Sequence, residues 1–197
     1  MRKRKSTWVL LIVLLIGLSL LLYPTLSNFW NSFHQTRAIA GYTEAVAGMD
    51  DEFYGQCLEE ARAYNADLVG NAGRFLPTQE EHTRYESLLD VAGNGIMGYV
   101  EIPAIDVELP VYHGVEDTIL QVAIGHIEGS SLPVGGPDTH CVVSGHRGLP
   151  SAKLFTDLDQ LEAGDLFLLH VLDETLAYEV DQIHIVEPED TSLLEIE

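Results

Sequence analysis

The chain has 197 residues, of which 46% are hydrophobic and 21% charged, and its formal net charge is −21 at pH 7. This composition is typical of a folded protein and excludes a wholly disordered chain. Four of the ten basic residues lie at positions 2–5, so the rest of the chain carries 31 acidic residues against six basic ones. A domain this acidic repels phosphates, which excludes a nucleic-acid-binding function.

The first element in chain order is an uncharged, apolar run from Trp8 to Leu26. At about 1.5 Å per residue, a helix of this length nearly crosses the ~30 Å hydrocarbon core of a bilayer. A cleaved signal peptide is the alternative, but its apolar region is roughly 7–15 residues long and is closely followed by small residues. Because this run continues into Tyr23-Pro24, we predict a single uncleaved anchor over residues 1–26. The basic residues then stay in the cytoplasm, and the remainder lies outside the cell.

Residues 27–69, which follow the anchor, are predicted to be helical in two pieces. Asp50 or Asp51 can cap the start of the second piece. Apolar side chains then recur at steps of three and four residues, which predicts a face packed on a domain. These residues are Phe53, Cys57, Leu58, Ala61, Tyr64 and Leu68. Residues 70–95 are polar and rich in glycine, which predicts a long, lid-like surface loop with a short helix near Glu80–Leu89.

From Ile96 the pattern changes to short apolar runs separated by glycine and proline, which predicts strands. The runs are Met97–Ile102, Val107–Tyr112, Cys141–Ser144, Leu166–Leu172 and Leu176–Val186. Asp173-Glu174-Thr175 suits a hairpin turn between the last two runs. Strands at this spacing predict a β-sandwich or β-barrel over residues 96–197.

We expect the chemistry in the segment from Gly125 to Pro150, where six glycines and three prolines surround one short strand. Such a composition indicates tight turns. His146 follows the strand directly, after Ser144-Gly145. A histidine at the end of a rigid strand, on an exposed loop, is well placed for acid–base catalysis. A structural, hydrogen-bonding histidine is the alternative.

Cys141 and His146 could form a nucleophile–base pair, but the sequence disfavours it. Residues five apart on a strand point to opposite faces unless a turn intervenes. Cys141 also lies in a Val-rich run without a positive neighbour that would lower the pKa of its thiol. We therefore expect Cys57 and Cys141 to be free, buried thiols, although a single disulfide between them stays open.

Two further kinds of site are disfavoured in the same region. Metal ligands usually have short pairwise spacing, which the histidines of this region lack: His113, His126, His140 and His146. A serine nucleophile would need the G-x-S-x-G elbow, and none of the candidates lies in one: Ser130, Ser131 and Ser144.

Ordered motifs run through most of the chain. Ala61-x-x-Tyr64-Asn65-x-x-Leu68 is followed by Ile102-Pro103-x-Ile105 and by Leu109-Pro110-Val111-Tyr112-His113-Gly114. Gly125-His126-Ile127-Glu128-Gly129-Ser130-Ser131-Leu132-Pro133-Val134-Gly135-Gly136 and Thr139-His140 then lead into Ser144-Gly145-His146-Arg147-Gly148-Leu149-Pro150. Lys153-Leu154-Phe155, Gly164-Asp165 and Leu176-Ala177-Tyr178-x-Val180 complete the series. With these motifs the chain from about Tyr23 onward resembles the sortases, and closely the class C sortases, which build pili.

The resemblance implies a mainly β fold, a sortase-type eight-stranded β-barrel with an N-terminal helical segment. It also implies a cysteine transpeptidase that cleaves LPxTG-type sorting signals and joins pilins or surface proteins to a lysine or cell-wall amine, without a cofactor or metal. His146 matches the family's histidine, whereas Arg147 does not match its catalytic arginine. We assign peptide contacts to residues beside the glycine-rich loops: His126, Ser130, Ser131, Leu132 and Arg147.

Two parts of the family pattern are absent from these residues. The family's cysteine, in a Thr-Leu-x-Thr-Cys pattern, and the arginine after it would lie beyond Glu197. Residues 96–197 are therefore expected to be an incomplete barrel, inactive as it stands. Between Gly73 and Gly95 there is Phe75-Leu76-Pro77 but no Asp-Pro-aromatic lid motif. The alternative function is that of an inactive sortase-like protein that only binds sorting signals or pilins.

Overall fold

The structure is a computed structural model that describes residues 2–187 and 189–196. Its first helix, α1, spans Arg2–Ala47 without a break and contains Pro24. Of the described helices, only this one is long and apolar enough to cross a membrane, over Thr7–Ala47. The apolar run and the first predicted helical piece thus form one continuous helix.

Two shorter helices follow, and each begins at a residue that caps it. Helix α2 spans Asp51–Leu68, and the Asp50 carboxylate accepts the Phe53 N–H at 2.8 Å. Helix α3 spans Gln79–Ser87 and starts with a capping box between Thr78 and Glu81. Such caps satisfy amide groups that have no partner within the helix. The predicted apolar face of α2 is buried except for Phe53, which is 47% exposed at its first turn.

Six strands form one curled sheet in the order β4-β3-β2-β1-β5-β6. The strands are β1 (Ile96–Ile102), β2 (Val107–His113), β3 (Ile124–His126), β4 (Val143–Ser144), β5 (Leu166–Val171) and β6 (Glu174–Glu179). A short helix, α4 (Asp117–Leu120), lies between β2 and β3. All neighbouring strands are antiparallel except β2 and β3. Within the described residues, the outer edges of β4 and β6 pair with no further strand.

The sheet differs from the prediction in four places. Strand β4 spans only Val143–Ser144, although a strand was predicted over Cys141–Ser144. Strand β3 was not predicted, because three residues containing a glycine give no alternating pattern. Strand β6 ends at Glu179 instead of Val186, and beyond it Ile183 and Ile185 are exposed to solvent. The hairpin turn is also one residue earlier than predicted, because Val171 already pairs with Glu174.

The core lies between the concave face of the sheet and the helices. Tyr42 of α1 illustrates the packing: its hydroxyl donates to the Met97 carbonyl at 3.1 Å and accepts the Leu172 N–H at 2.7 Å. The largest fully buried apolar side chains come from α1, α3, β1, β3 and two loops: Tyr42, Tyr85, Ile96, Met97, Ile124, Leu132 and Leu154. Burial of such side chains stabilises a domain by roughly 1.5–3 kcal/mol each.

Candidate active site around His146

His146 lies two residues beyond β4, at the edge of the sheet. Strand β4 is fixed by antiparallel pairing with β3, in which Ser144 is opposite Gly125. The His146 side chain is exposed and makes no hydrogen bond or ion pair with any of the described residues. An exposed imidazole at the end of a paired strand can exchange a proton with a bound molecule without first breaking an internal contact.

The backbone around His146 is held tightly although its side chain is free. A Cβ atom at Gly145 would come within 2.6 Å of Ile124 Cγ2 and 2.7 Å of Phe155 Cδ2, so only glycine fits there. The His146 carbonyl accepts the Phe155 N–H at 3.2 Å. The Gly148 N–H donates to the Thr156 hydroxyl at 3.0 Å. These contacts close the loop that carries His146 into a compact turn.

Arg147, which was assigned to peptide binding, lies next to His146 on the same loop. Its guanidinium forms an ion pair with the Asp159 carboxylate at 2.6 Å, and 62% of its side chain is exposed. Exposed ion pairs of this kind contribute little to stability, typically up to about 1 kcal/mol. The structure therefore leaves Arg147 accessible, beside His146 and already paired with an acid.

The placement of His126 does not support a peptide contact. Its ring is fully buried and stacks on Tyr85 at a centroid distance of 5.7 Å. One ring nitrogen lies 3.0 Å from the Tyr85 hydroxyl and the other lies 2.9 Å from the Ser131 carbonyl. Burial, only partly offset by the bond to Ser131, lowers the His126 pKa to about 4. His126 is therefore a neutral, structural histidine, the alternative first considered for His146.

Ser130, Ser131 and Leu132 are also fully buried. The Ser130 hydroxyl accepts the Val142 N–H at 3.1 Å and donates to the Ile127 carbonyl at 2.7 Å. The Ser131 hydroxyl accepts the His140 N–H at 2.9 Å. In this conformation the three side chains hold the loop in shape and offer a substrate no surface, so we reassign them to a structural role.

Asn65 of α2 holds the same loop from the other side, a role the sequence motif did not reveal. Its amide nitrogen donates to the Leu132 carbonyl at 3.1 Å, and its amide oxygen accepts the Leu132 N–H at 2.6 Å. The Asn65 side chain is buried. The only signal available was its position beside Tyr64 on the buried face of a helix.

The two thiols are poor nucleophiles. Both cysteines are free, so the disulfide that stayed open is not formed in this structure. Burial raises the pKa of the Cys141 thiol to about 12. The pKa of Cys57 is raised by burial and, to a smaller extent, by the nearby Glu60 carboxylate. Because the thiolate is the attacking species, neither residue is prepared for covalent catalysis at neutral pH.

Arg74 and Phe75, in the predicted lid-like loop 70–95, pack over Gly129. A Cβ atom at Gly129 would overlap the Arg74 carbonyl and come within 2.8 Å of the Phe75 ring. The Arg74 guanidinium donates to the Leu194 carbonyl at 2.9 Å, and its buried Nε has no partner among the described residues. Arg74 and Glu128 line a common cavity of about 60 Å³. Arg74 therefore links this loop to the last turn of the described chain.

The two other histidines considered as metal ligands, His140 and His113, contact backbone carbonyls. His140 Nδ1 lies 2.8 Å from the Glu195 carbonyl, and the two ring nitrogens of His113 face the carbonyls of Gly95 and Leu88. Across residues 2–187 and 189–196, no group of three or more His, Cys, Asp or Glu side chains is arranged to hold a metal ion.

Comparison with known proteins agrees with this architecture. A family model of the sortase domain matches residues 100–197. Sortase D of Bacillus subtilis (strain 168) is 32% identical over 100 residues, which are 51% of this chain and 48% of that protein. The chain thus spans about half the length of this curated relative.

Solved structures match over more of the chain. Sortase C1 of Streptococcus agalactiae is 45% identical with a TM-score of 0.77, over 80% of this chain and 82% of that one. Sortase C of Streptococcus pneumoniae is 42% identical with a TM-score of 0.67, over 82% of each chain. Sortase C-1 of Actinomyces oris is 39% identical with a TM-score of 0.66, over 72% of this chain and 81% of that one. On this sequence identity and this coverage, the chain belongs to the sortase family.

Proposed function

We propose that the chain is the histidine-bearing part of a class C type sortase, a transpeptidase that joins pilins or surface proteins to an amine. The observation that carries the proposal is the exposed, unpartnered His146 on a rigid turn at the edge of a sortase-type sheet. Sortase C of Streptococcus pneumoniae has pilin substrates, which supports pilins as the substrate class here. Recognition of an LPxTG-type signal is part of the proposal.

The proposed chemistry consists of two acyl transfers. A cysteine thiolate attacks the carbonyl carbon between Thr and Gly of the sorting signal and forms a tetrahedral intermediate. As the C–N bond breaks, protonated His146 donates its proton to the leaving glycine amine, which leaves a thioester and a neutral imidazole. A lysine or cell-wall amine then attacks the thioester, His146 accepts the proton of that amine, and the thiolate departs. The final amide and the regenerated thiolate balance the reaction.

Residues 1–197 do not contain the thiol that this chemistry needs. The Thr-Leu-x-Thr-Cys pattern is absent from them, and burial raises the pKa of both cysteines. In the proposal, the nucleophile and the oxyanion-stabilising arginine belong to polypeptide outside these residues and reach His146 along the open edge of β4. For residues 1–197 alone, the same observation favours a second candidate, a sortase-like protein that binds sorting signals without cleaving them.

Reading the coding DNA beyond the codon for Glu197 separates the two candidates. A Thr-Leu-x-Thr-Cys pattern in frame supports the transpeptidase, and an immediate stop codon supports the binding protein. The gene product is then incubated with a fluorescent LPxTG peptide and hydroxylamine, which traps the thioester as a hydroxamate.

For the transpeptidase we expect release of the peptide's C-terminal part, at least 100-fold slower in His146→Ala. His170→Ala, which changes a histidine of β5, and Cys141→Ala are expected to retain most of the activity. Full activity in His146→Ala would contradict the proposed role of His146. Loss of activity in Cys141→Ala would identify the local thiol as the nucleophile.

The proposed location is the cell membrane, with α1 as a single span, the basic residues 2–5 in the cytoplasm and the domain outside. The length and composition of α1 support a span. The concentration of basic residues at one end supports the orientation.

A further inference from the structure

An aromatic face on α1 has no partner among the described residues of the domain. Phe29, Trp30 and Phe33 lie within about two turns after the apolar run, and their side chains are 72%, 64% and 55% exposed. With Arg37, one turn further on, they share one side of the helix, because residues three and four apart lie above one another. We call Phe29, Trp30, Phe33 and Arg37 the aromatic face.

The opposite side of α1 is docked on the domain over the same stretch. The Asn28 side chain accepts the Lys153 N–H at 2.7 Å, and the Asn31 side chain donates to the Ser151 carbonyl at 2.8 Å. The Gln35 amide donates to the Val122 carbonyl at 2.6 Å. The aromatic face therefore points away from the domain, which leaves these side chains uncovered.

The height of this face places it at the surface of a membrane. If Leu26 ends the apolar run at the edge of the hydrocarbon, Phe29 lies about 5 Å and Phe33 about 10 Å further along a helix with a rise of 1.5 Å per residue. The headgroup region is about 5–8 Å deep on each side of a bilayer. A tilt of about 20° towards this face, ordinary for spanning helices, lowers the Phe33 ring by about 2–3 Å to the outer limit of this region, because the ring lies roughly 5–6 Å from the helix axis.

The charge of this part of the chain is the reverse of that of the domain. The first acidic residue of the whole sequence is Glu44, although the chain contains 31 acidic residues. Arg37 makes no ion pair with any described residue. Aromatic rings with a nearby arginine are the side chains that favour the interface of an anionic bilayer.

We propose that the aromatic face of α1 docks onto the outer surface of the bilayer, with the three rings among the headgroups. Arg37, about 16 Å beyond Leu26 at the same rise, extends its side chain back towards an anionic lipid phosphate. Docking fixes the tilt of α1 and hence the direction of the domain. Ser151 and Lys153, which are bonded to Asn28 and Asn31, then lie close to the headgroups. Because the His146 carbonyl accepts the N–H of Phe155, two residues after Lys153, the loop that carries His146 is on the side of the domain nearest the membrane. The inference rests on the membrane-spanning role of α1 and does not require activity.

Tryptophan fluorescence tests the docking, because the chain has only two tryptophans, Trp8 and Trp30. The full chain is reconstituted in vesicles that contain anionic phosphatidylglycerol and lipids brominated near the headgroup. Phe33→Trp in a Trp8→Phe, Trp30→Phe background reports the depth of the aromatic face. Phe53→Trp in the same background is the matched control, since Phe53 is 47% exposed beyond the far end of α1.

We expect the brominated lipids to quench Phe33→Trp by at least one half and aqueous iodide to quench it several-fold less than Phe53→Trp. Arg37→Glu should restore quenching by iodide, whereas Arg62→Glu, at an exposed position of α2, should not. Equal quenching of Phe33→Trp and Phe53→Trp by iodide would overturn the proposal. Shielding that requires a high protein-to-lipid ratio would also overturn it, because a second protein molecule would then cover the face.

The anchor is tested separately with Trp8 in a Trp30→Phe variant. Quenching of Trp8 by brominated lipids, combined with full exposure of Phe33→Trp to iodide, would show that α1 spans the membrane without docking. Absence of quenching at both positions would instead remove the anchor on which the proposed function rests. A failure of docking is therefore distinguishable from a failure of the proposed function.

Discussion

His126 is a fully buried residue whose titration affects the stability of the fold in mildly acidic solution. The fully buried ring resists protonation, which lowers its pKa from 6.5 to about 4. The unfolded chain takes up this proton below about pH 6.5, whereas the folded chain resists until about pH 4. The contribution of His126 to the unfolding free energy is therefore at its maximum above pH 6.5. It declines as the pH falls towards 4, by up to about 1.4 kcal/mol per pH unit.

We predict that the chain loses about 2–3 kcal/mol more unfolding free energy between pH 7 and pH 4.5 than does His126→Gln. Glutamine cannot be protonated, and its amide can still donate to the Ser131 carbonyl. The measurement is urea unfolding of both proteins in detergent micelles at the two pH values. Parallel losses in the two proteins would show that His126 is not the titrating group.

Gly145 is the residue that fixes the position of His146. A methyl group there would press on Ile124 and Phe155, and neither side chain can easily move because both are buried. We predict that Gly145→Ala lowers the unfolding free energy by about 1–3 kcal/mol, as expected for overpacking. Gly55→Ala is the control, since Gly55 lies in α2 with no atom within 4 Å of the added methyl group.

The control should be stabilised by about 0.5–1 kcal/mol, because alanine favours a helix more than glycine does. Thermal unfolding of both variants distinguishes the two effects. Equal stability of Gly145→Ala and the unchanged chain would mean that the loop carrying His146 can shift at no cost, contrary to the rigid turn described above.

At the scale of elements, α2 and the loop 128–134 are joined by one side chain. Asn65 satisfies both the N–H and the carbonyl of Leu132, which is fully buried. We predict that Asn65→Ala costs about 1–3 kcal/mol, because the buried Leu132 N–H loses its partner while the Leu132 carbonyl keeps only the Val134 N–H. Asn71→Ala removes an exposed turn contact to the Gly73 N–H and should cost less than about 1 kcal/mol.

Amide hydrogen exchange provides the measurement for this pair of variants. In Asn65→Ala, amide exchange should accelerate more in the loop 128–134 than in β1, whereas Asn71→Ala should leave both exchange rates unchanged. Uniform acceleration of the whole domain, or no change in the loop, would count against a local clasp between α2 and the loop.

The same elements show what the sequence could and could not predict. The start of α2 was predictable because Asp50 caps a helix whose first residues are its direct neighbours. Strand β3 was not, because Gly125 and its two neighbours form a strand only through pairing with β2 and β4. The burial of His126 depends on Tyr85, 41 residues away in sequence. A glycine-rich context therefore predicted exposure correctly for His146 and wrongly for His126.

At the scale of the whole molecule, the sheet curls until its two ends approach each other. Burial raises the Tyr178 pKa, and the nearby Cys141 thiol raises it further. Cys141 precedes β4 in the chain, and Tyr178 belongs to β6. These two strands are at opposite ends of the strand order. The predicted barrel was thus correct in its curvature. The number of strands was not predictable to the same extent, because closure depends on pairing between segments that are distant in sequence.

The distribution of charge along the whole chain leads to the last prediction. Four basic residues precede the apolar run and a strongly acidic domain follows it, so the positive-inside rule favours an external domain. We predict that replacing Arg2, Lys3, Arg4 and Lys5 together by glutamate reduces the externally accessible fraction several-fold. Protease added to spheroplasts should digest the domain of the original chain and spare most of the variant. Replacing Arg62, Arg74 and Arg84 by glutamine is the control, since these bases lie far from the span in sequence and have little influence on insertion. Equal digestion of the variant and the original chain would show that the basic residues do not set the orientation.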